Sequence, residues 1–300
     1  MVKINIGNNT SRIIGHLDKK VHNELDHYLS YVPANARHMK SVKDGKWDGR
    51  FRLYRKGYGQ SFDSGLVSLV QKVLEKNDVH YVRNDERIKP KQNLPHLIFQ
   101  EPAHYEERDY QQFTINKALK RSRGILKIST GGGKTMIVSE LISRLKTAPF
   151  MYYVLTKDLM NQAYETLSES LNEPIGRIGG GHWDIKNINV CTIQTVILAV
   201  NQKNKKFKIS DYQFDEEDIW DETIYEYEDK IDYLKKLLRF TKGLYVDECH
   251  HSSARTCQEV IKSSPNAYFR YGGSATPYRE DGAEIVLKAL FGKKIVDISA

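Results

Sequence analysis

The chain has 300 residues, 40% of them hydrophobic, enough for one or two buried cores; no run approaches the roughly 18 apolar residues of a membrane span, and MVKINIGNNT lacks the apolar centre of a signal peptide. Three cysteines, Cys191, Cys249 and Cys257, with no C-x-x-C pair, argue against a disulfide framework and a cysteine-based zinc site, so a cytoplasmic protein is expected. The net charge of +8 arises wholly in residues 1–100, where 18 Lys and Arg face 10 Asp and Glu; the remaining residues balance at 28 each, which points to an N-terminal surface that meets a polyanion, nucleic acid first.

In chain order, the first third alternates short strand-like runs (KINI, RIIGHL, FRLYR, VHYVR) with two amphipathic segments. Val21, Leu25, Tyr28 and Leu29 recur at helical spacing, as do Leu66, Val70, Val73 and Leu74. A small α+β unit over residues 1–90 is expected. Between Arg37 and Lys56 lie eight basic side chains, Arg37, Lys40, Lys43, Lys46, Arg50, Arg52, Arg55 and Lys56, against Asp44 and Asp48. Phosphate contacts from such a cluster are independent of base sequence and weakened by salt. Trp47, Phe51 and Tyr54 are interleaved with them. Exposed, these rings stack on bases or wedge a junction; on the inward face of a strand they are core, the reading favoured for Phe51, while Trp47 between Gly45 and Gly49 suits either.

Residues 91–107 hold prolines and no sustained period, and read as a linker. From residue 108 onward, apolar runs (ILKIS, FMYYVL, NVCTI, LYVD, YFRYGGS) alternate with helical stretches, the pattern of a parallel sheet covered on both faces. Residues 203–237 change from basic to strongly acidic and read as a surface insertion rather than a core element.

Within this alternation, KISTGGGKTM supplies a strand that ends, a glycine turn and a helix start. Those are the three parts of a phosphate-binding loop, although the general pattern G-x-x-x-x-G-K-[ST] wants a glycine where Ile128 stands. Lys134 reaches the β/γ-phosphates of ATP and Thr135 ligands Mg²⁺ in such a loop. LYVDECHH adds the second acidic element: Asp247 for the metal and Glu248 to take a proton from the attacking water. Cys249-His250-His251 is a poor metal site, because adjacent ligands alternate in direction.

The series S-T-G-G-G-K-T, D-E-C-H and S-A-T resembles the superfamily 2 helicases and translocases of the DExH group, whose phosphate loop is spelled T-G-x-G-K-T. The resemblance implies that Thr130, Gly131, Gly132, Gly133, Lys134 and Thr135 bind the nucleotide and that Gln111, in Arg108-Asp109-Tyr110-Gln111, reads adenine. It implies that Thr156, Lys157, Gly180, Thr192 and Gln194 track a nucleic-acid backbone, and that His250, Ser274 and Thr276 couple hydrolysis to movement. G-K-W-D-G-R-F-R-L-Y followed by S-G-L-V-S-L-V resembles the accessory domain of phage UvsW-like helicases, which remodel branched DNA. The implied fold is α/β: a RecA-like P-loop domain over residues 108–300, its parallel sheet flanked by helices, preceded by the small α+β nucleic-acid-binding domain. ATP and Mg²⁺ are the implied cofactors, and duplex or branched DNA, with RNA-containing hybrids a further option, the implied partner. If the source is a phage, the compartment is the host cytoplasm. About two dozen residues follow S-A-T, too few for the second RecA-like lobe that donates an arginine, so weak turnover is expected. Two rivals stay open: a DNA-binding module with a non-hydrolysing RecA-like scaffold, and another P-loop DNA motor.

Overall fold

The computed structural model describes residues 1–33, 35–103, 105–201, 228–277 and 284–298. The first sheet is built from β1 (Val2–Ile6), β2 (Thr10–Ile14), β5 (Tyr54–Arg55), β6 (Ser61–Asp63) and β7 (Tyr81–Asp85), in the order β5-β6-β2-β1-β7. Helices α1 (Lys19–Tyr28) and α3 (Val67–Lys76) lie on it. Their helical-period residues Val21, Leu25, Val70, Val73 and Leu74 share one core with Ile4, Ile13 and Phe62. Between these helices, β3 (Ser30–Tyr31) pairs with β4 (Phe51–Arg52), and α2 (Lys40–Lys43) sits in the intervening loop.

The second sheet has eight strands: β8 (Arg123–Ile128), β9 (Phe150–Val154), β10 (Ile175–Gly179), β11 (His182–Asp184), β12 (Ile188–Thr192), β13 (Gly243–Val246), β14 (Phe269–Ser274) and β15 (Lys294–Ile298), ordered β11-β10-β12-β9-β13-β14-β8-β15. All neighbouring pairs run parallel except β10 with β11, an antiparallel hairpin turned by Gly179, Gly180 and Gly181 at positive φ. Successive strand residues face opposite sides. Leu126, Tyr152 and Tyr245 therefore pack with α4 (Asp109–Leu119), α5 (Lys134–Leu145) and α6 (Lys157–Ser170), whereas Ile125, Met151 and Leu244 pack with α7 (Ile193–Asn201), α8 (Glu228–Phe240), α9 (Arg255–Lys262) and α10 (Glu284–Phe291). This is the helix-covered parallel sheet that the apolar alternation led one to expect, in the RecA-like arrangement that the resemblance implied.

One expectation is corrected. Of the segment read as a surface insertion, residues 203–227 lie outside the described residues, but its end belongs to α8, where Ile231, Leu234 and Leu237 are buried in the second core face. Acidic composition hid an i, i+3 apolar stripe. The stretch 91–107, expected as a linker, makes contacts of its own. Asn93 and Leu94 both donate backbone N–H bonds to Lys146, Gln100 donates to Ser170, and Leu94 and Leu97 are buried with α5 and α6. It is a strap across the sheet's first helical layer.

The N-terminal module is docked on the opposite layer. Asp63, its side chain 3% exposed, bonds Arg55 at 2.9 Å and Lys262 of α9 at 3.1 Å. Asn9 Nδ2 donates to the Lys262 carbonyl at 2.8 Å, and Arg123 donates to the Asn8 carbonyl at 2.6 Å. A Cβ on Gly65 would lie 2.0 Å from the Lys288 carbonyl, so the chain passes against α10 backbone to backbone. No described helix is long and apolar enough to cross a membrane.

Candidate ATP site and nucleic-acid face

Strand β8 ends at buried Ile128, the residue that occupies the place of the general pattern's first glycine, and the loop that follows uses its three glycines differently. Gly131 has φ +73°, a Cβ on Gly132 would meet Ile128 at 2.6 Å, and Gly133 combines φ +70° with the Gln111 amide at 2.4 Å from its would-be Cβ. Side chains at these positions are excluded by backbone strain or by contact. Helix α5 starts at Lys134, so its free N–H groups and positive dipole end face the loop. Gln111 itself is 2% exposed; its oxygen accepts from the Tyr105 hydroxyl at 2.7 Å and the Arg108 N–H at 2.8 Å. It lies against the phosphate loop with that oxygen already engaged.

The acidic pair follows β13, with β14 lying between β13 and β8. Asp247 is 9% exposed, and burial first, then the neighbouring Glu248 charge, pushes its carboxyl above the usual range, with Lys134 opposing. Its N–H is held by the Tyr153 carbonyl at 2.9 Å, and the Tyr245 hydroxyl reaches its carboxylate at 3.4 Å. Glu248 occupies the left-handed region at φ 45°, uncommon for a side chain of its size, and places Oε1 3.3 Å from Lys134 Nζ. Its other oxygen meets His250 Nδ1 and Ser274 Oγ, each at 3.3 Å. His250 and Ser274 are 2.8 Å apart, and the Thr276 N–H donates to Ser274 Oγ at 3.1 Å. Lys134, Glu248, His250, Ser274 and Thr276 thus form one connected chain. Thr135 Oγ1 stands 3.5 Å from the Tyr152 hydroxyl, beneath the same loop.

A metal ion fits this donor set: a hydroxyl and a buried carboxylate whose ionisation is disfavoured until a cation arrives. Thr135 and Asp247 are the residues that would hold Mg²⁺, which when bound neutralises phosphate charge.

Along the same strand ends lie the residues expected to track a nucleic-acid backbone. Thr156 caps α6, accepting from the Leu159 N–H at 3.3 Å. Lys157 lies over Gly180, where a Cβ would come within 2.8 Å, and Thr192 packs against Gly179 while donating to Thr195 at 2.9 Å. The buried Gln194 side-chain oxygen has no hydrogen-bond partner among the described residues. The hairpin glycines bring these three sequence segments together.

In the N-terminal module six of the eight cations separate into two groups. Arg52 is held by Asp26 at 3.0 Å and Asp48 at 2.5 Å, and Arg55 by Asp63 at 2.9 Å, so both cations are already paired with carboxylates. Asp48 is drawn down to about 2 by its hydrogen bonds from Arg52 and from the Arg50 backbone. Lys43, Lys46 and Lys56 are exposed, and Arg50 donates to Ser30 Oγ at 2.9 Å. The core reading of Phe51 is overturned: its side chain is 44% exposed, sandwiched between Tyr31 at 5.4 Å and Trp47 at 4.8 Å. Tyr54 is core, with its hydroxyl 2.8 Å from His22.

Sequence reasoning passed over Tyr105, Tyr110, Tyr152 and Tyr245. Their hydroxyls surround the loop and the acidic pair; Tyr110 and Tyr245 stood in segments already singled out, R-D-Y-Q and LYVDECHH, but were given no role there.

Comparison with known proteins agrees with this geometry. Residues 104–279 match the family described as Type III restriction enzyme, res subunit. A DNA 3'-5' translocase, XPB2, of Sulfurisphaera tokodaii is 29% identical over 189 residues, covering 62% of this chain and 34% of its own length. Putative helicase 22 of Sulfolobus islandicus filamentous virus is 24% identical over 312 residues, covering 96% of this chain and 50% of its own. The chain therefore spans at most half the length of these relatives. The crystal structure of the UvsW helicase from bacteriophage T4 superposes with a TM-score of 0.72 at 19% identity, covering 98% of both chains, a likeness of fold through both sheets. The matched region holds the phosphate loop, the acidic pair and the S-A-T segment in one family's frame: this chain belongs to the Type III restriction enzyme res subunit family, and its fold resembles that of the UvsW helicase.

Proposed function

We propose that the chain is the DNA-engaging front half of an ATP-driven DNA helicase or translocase that remodels branched replication or recombination intermediates. Residues 1–90 serve as the DNA-binding domain, 91–107 as the connection and 108–300 as the first motor lobe. The observation that carries the reading is the Lys134–Glu248 pair at 3.3 Å, joined through His250 to Ser274. A scaffold that never hydrolysed ATP would have no need of a phosphate-loop lysine, a base and a linked serine in one connected chain.

In this reading Lys134 and the α5 N-terminus hold the phosphates, and Glu248, once released by Lys134, orients the attacking water and accepts its proton. His250, touching both Glu248 and Ser274, reports the state of the site to the segment after β14. The arginine that stabilises the transition-state charge comes from a second lobe outside these residues, consistent with relatives about twice as long.

The test is ATP binding and hydrolysis by this chain, with and without forked DNA, beside Lys134→Ala. Salt-sensitive DNA binding and saturable ATP binding with little turnover are expected. Vigorous turnover abolished by Lys134→Ala would overturn the half-motor clause; ATP binding unchanged by Lys134→Ala would overturn the site itself.

A further inference from the structure

Three residues that open α4 meet three successive glycines of the phosphate loop in register. Arg108 Nη1 donates to the Gly131 carbonyl at 3.2 Å, and the Tyr110 hydroxyl donates to the Gly132 carbonyl at 3.0 Å. The Gln111 amide nitrogen lies against Gly133, 2.4 Å from where its Cβ would be. Arg108 Nη1 also donates to the Tyr110 oxygen at 2.9 Å, so the two donors brace one another.

The consequence follows from peptide geometry. A trans peptide is planar, with C=O and N–H on opposite sides. Drawing the Gly131 and Gly132 carbonyls outward therefore turns the N–H groups of Gly132 and Gly133 inward. The Gly132 N–H closes the turn onto the Ser129 carbonyl at 3.0 Å, and Gly133 follows it in the left-handed region as the residue before α5. Three consecutive glycines left to themselves would sample many backbone states, and ordering them would be charged against ligand binding. External donors on their carbonyls remove that freedom beforehand.

We propose that Tyr110 and Arg108 are positioning residues that preset the phosphate loop for the triphosphate before nucleotide arrives. The proposal rests on the reading of this loop as an ATP site. The Tyr110 ring packs against the core beneath α4 and has an ordinary structural role. Its hydroxyl is the part that shapes the loop, and Tyr110→Phe separates the two.

The experiment titrates the full 300-residue chain, as wild type, Tyr110→Phe, Arg108→Met and Lys134→Ala, with ATP and with inorganic pyrophosphate. Amide hydrogen exchange over residues 129–134 is followed without ligand. Loss of one loop hydrogen bond is expected to weaken ATP and pyrophosphate alike by about fivefold in Tyr110→Phe. Faster exchange confined to the loop, an unchanged melting temperature and a similar loss in Arg108→Met are also expected. Equal affinities and exchange in wild type and Tyr110→Phe would overturn the proposal. So would a loss that tracks a general drop in melting temperature. Wild-type binding that Lys134→Ala leaves unchanged would instead overturn the ATP-site reading, and this proposal with it.

Discussion

Lys134 Nζ and Glu248 Oε1 lie 3.3 Å apart, so the loop's cation and the second carboxylate of the acidic pair neutralise one another across β14. An arriving triphosphate competes with Glu248 for that lysine. Glu248→Gln removes the competitor, and ATP affinity is expected to rise about threefold, the worth of a partly exposed ion pair. Lys134→Ala is expected to lower affinity tenfold or more, since it deletes a charge-assisted contact of about 1.5–3 kcal/mol. Titration with a fluorescent ATP analogue checks both directions; a weaker-binding Glu248→Gln would contradict the competition.

Asp247 is buried and its carboxyl is raised, chiefly by that burial. A carboxylic acid with a raised folded-state pKa binds its proton more readily folded than unfolded, so its ionised form destabilises the fold above that pKa. Asp247→Asn removes the buried charge. At neutral pH without divalent metal its melting temperature is expected to rise by a few degrees, while Mg²⁺-dependent nucleotide binding is lost. Differential scanning fluorimetry with and without Mg²⁺ measures both.

On the DNA side, log affinity against log salt has a slope of about −0.9 for each phosphate neutralised. Replacing Lys43, Lys46, Arg50 and Lys56 with Ala should flatten that slope by about 3–4 for duplex DNA. Arg52→Ala, which removes the strut to Asp26 and Asp48, is expected to lower the melting temperature with a smaller change in slope. Filter binding or fluorescence anisotropy over a salt series separates the two groups; a full unit lost in stably folded Arg52→Ala would show that Arg52 contacts phosphate itself.

Gly273 has its own partner. A Cβ there would fall 1.8 Å from the Tyr245 hydroxyl, which rests beside Asp247. Gly273→Ala is expected to cost about 1–3 kcal/mol by overpacking, and Tyr245→Phe in the same chain to recover a substantial part. Urea unfolding of the two single variants and the double variant gives the coupling, and strict additivity would refute the contact.

His22 is held below its ordinary value of 6.5, first by burial and then by the charges of Lys56 and His16. The unfolded chain thus binds a proton that the folded chain resists, so this contribution to stability is complete above 6.5 and is lost as pH falls below it. His22→Gln is expected to flatten the acid decline in stability between about pH 7 and pH 5. Denaturation midpoints across that range test it.

What the sequence disclosed is what local chemistry encodes. The strand, glycine turn and helix start around Lys134 are adjacent in the chain, and so are β13 and the D-E pair, which made the centre of the site readable. The hydroxyls around it were not readable. Tyr245 meets Gly273, and Tyr110 meets Gly132, only because strand order and helix packing bring distant segments together. Charge misled twice. In α8, acidic and basic residues masked the buried face of Ile231 and Leu234, and in the N-terminal cluster a count of cations did not show that Arg52 and Arg55 are paired with carboxylates.

The strap at residues 91–107 and the docked N-terminal module lie on opposite helical layers of the eight-stranded sheet. Residues 1–107 therefore embrace that sheet like a clasp, closed on one side by Asp63 and Lys262 and on the other by Leu94 and Leu97. A clasp made from the same chain need not bind strongly to stay shut, because a short tether holds its halves at an effective concentration on the order of millimolar. The same few contacts between separate fragments would close only at that concentration. A cut at the apparent domain boundary would remove Leu94 and Leu97 from the core of the lobe it was meant to isolate.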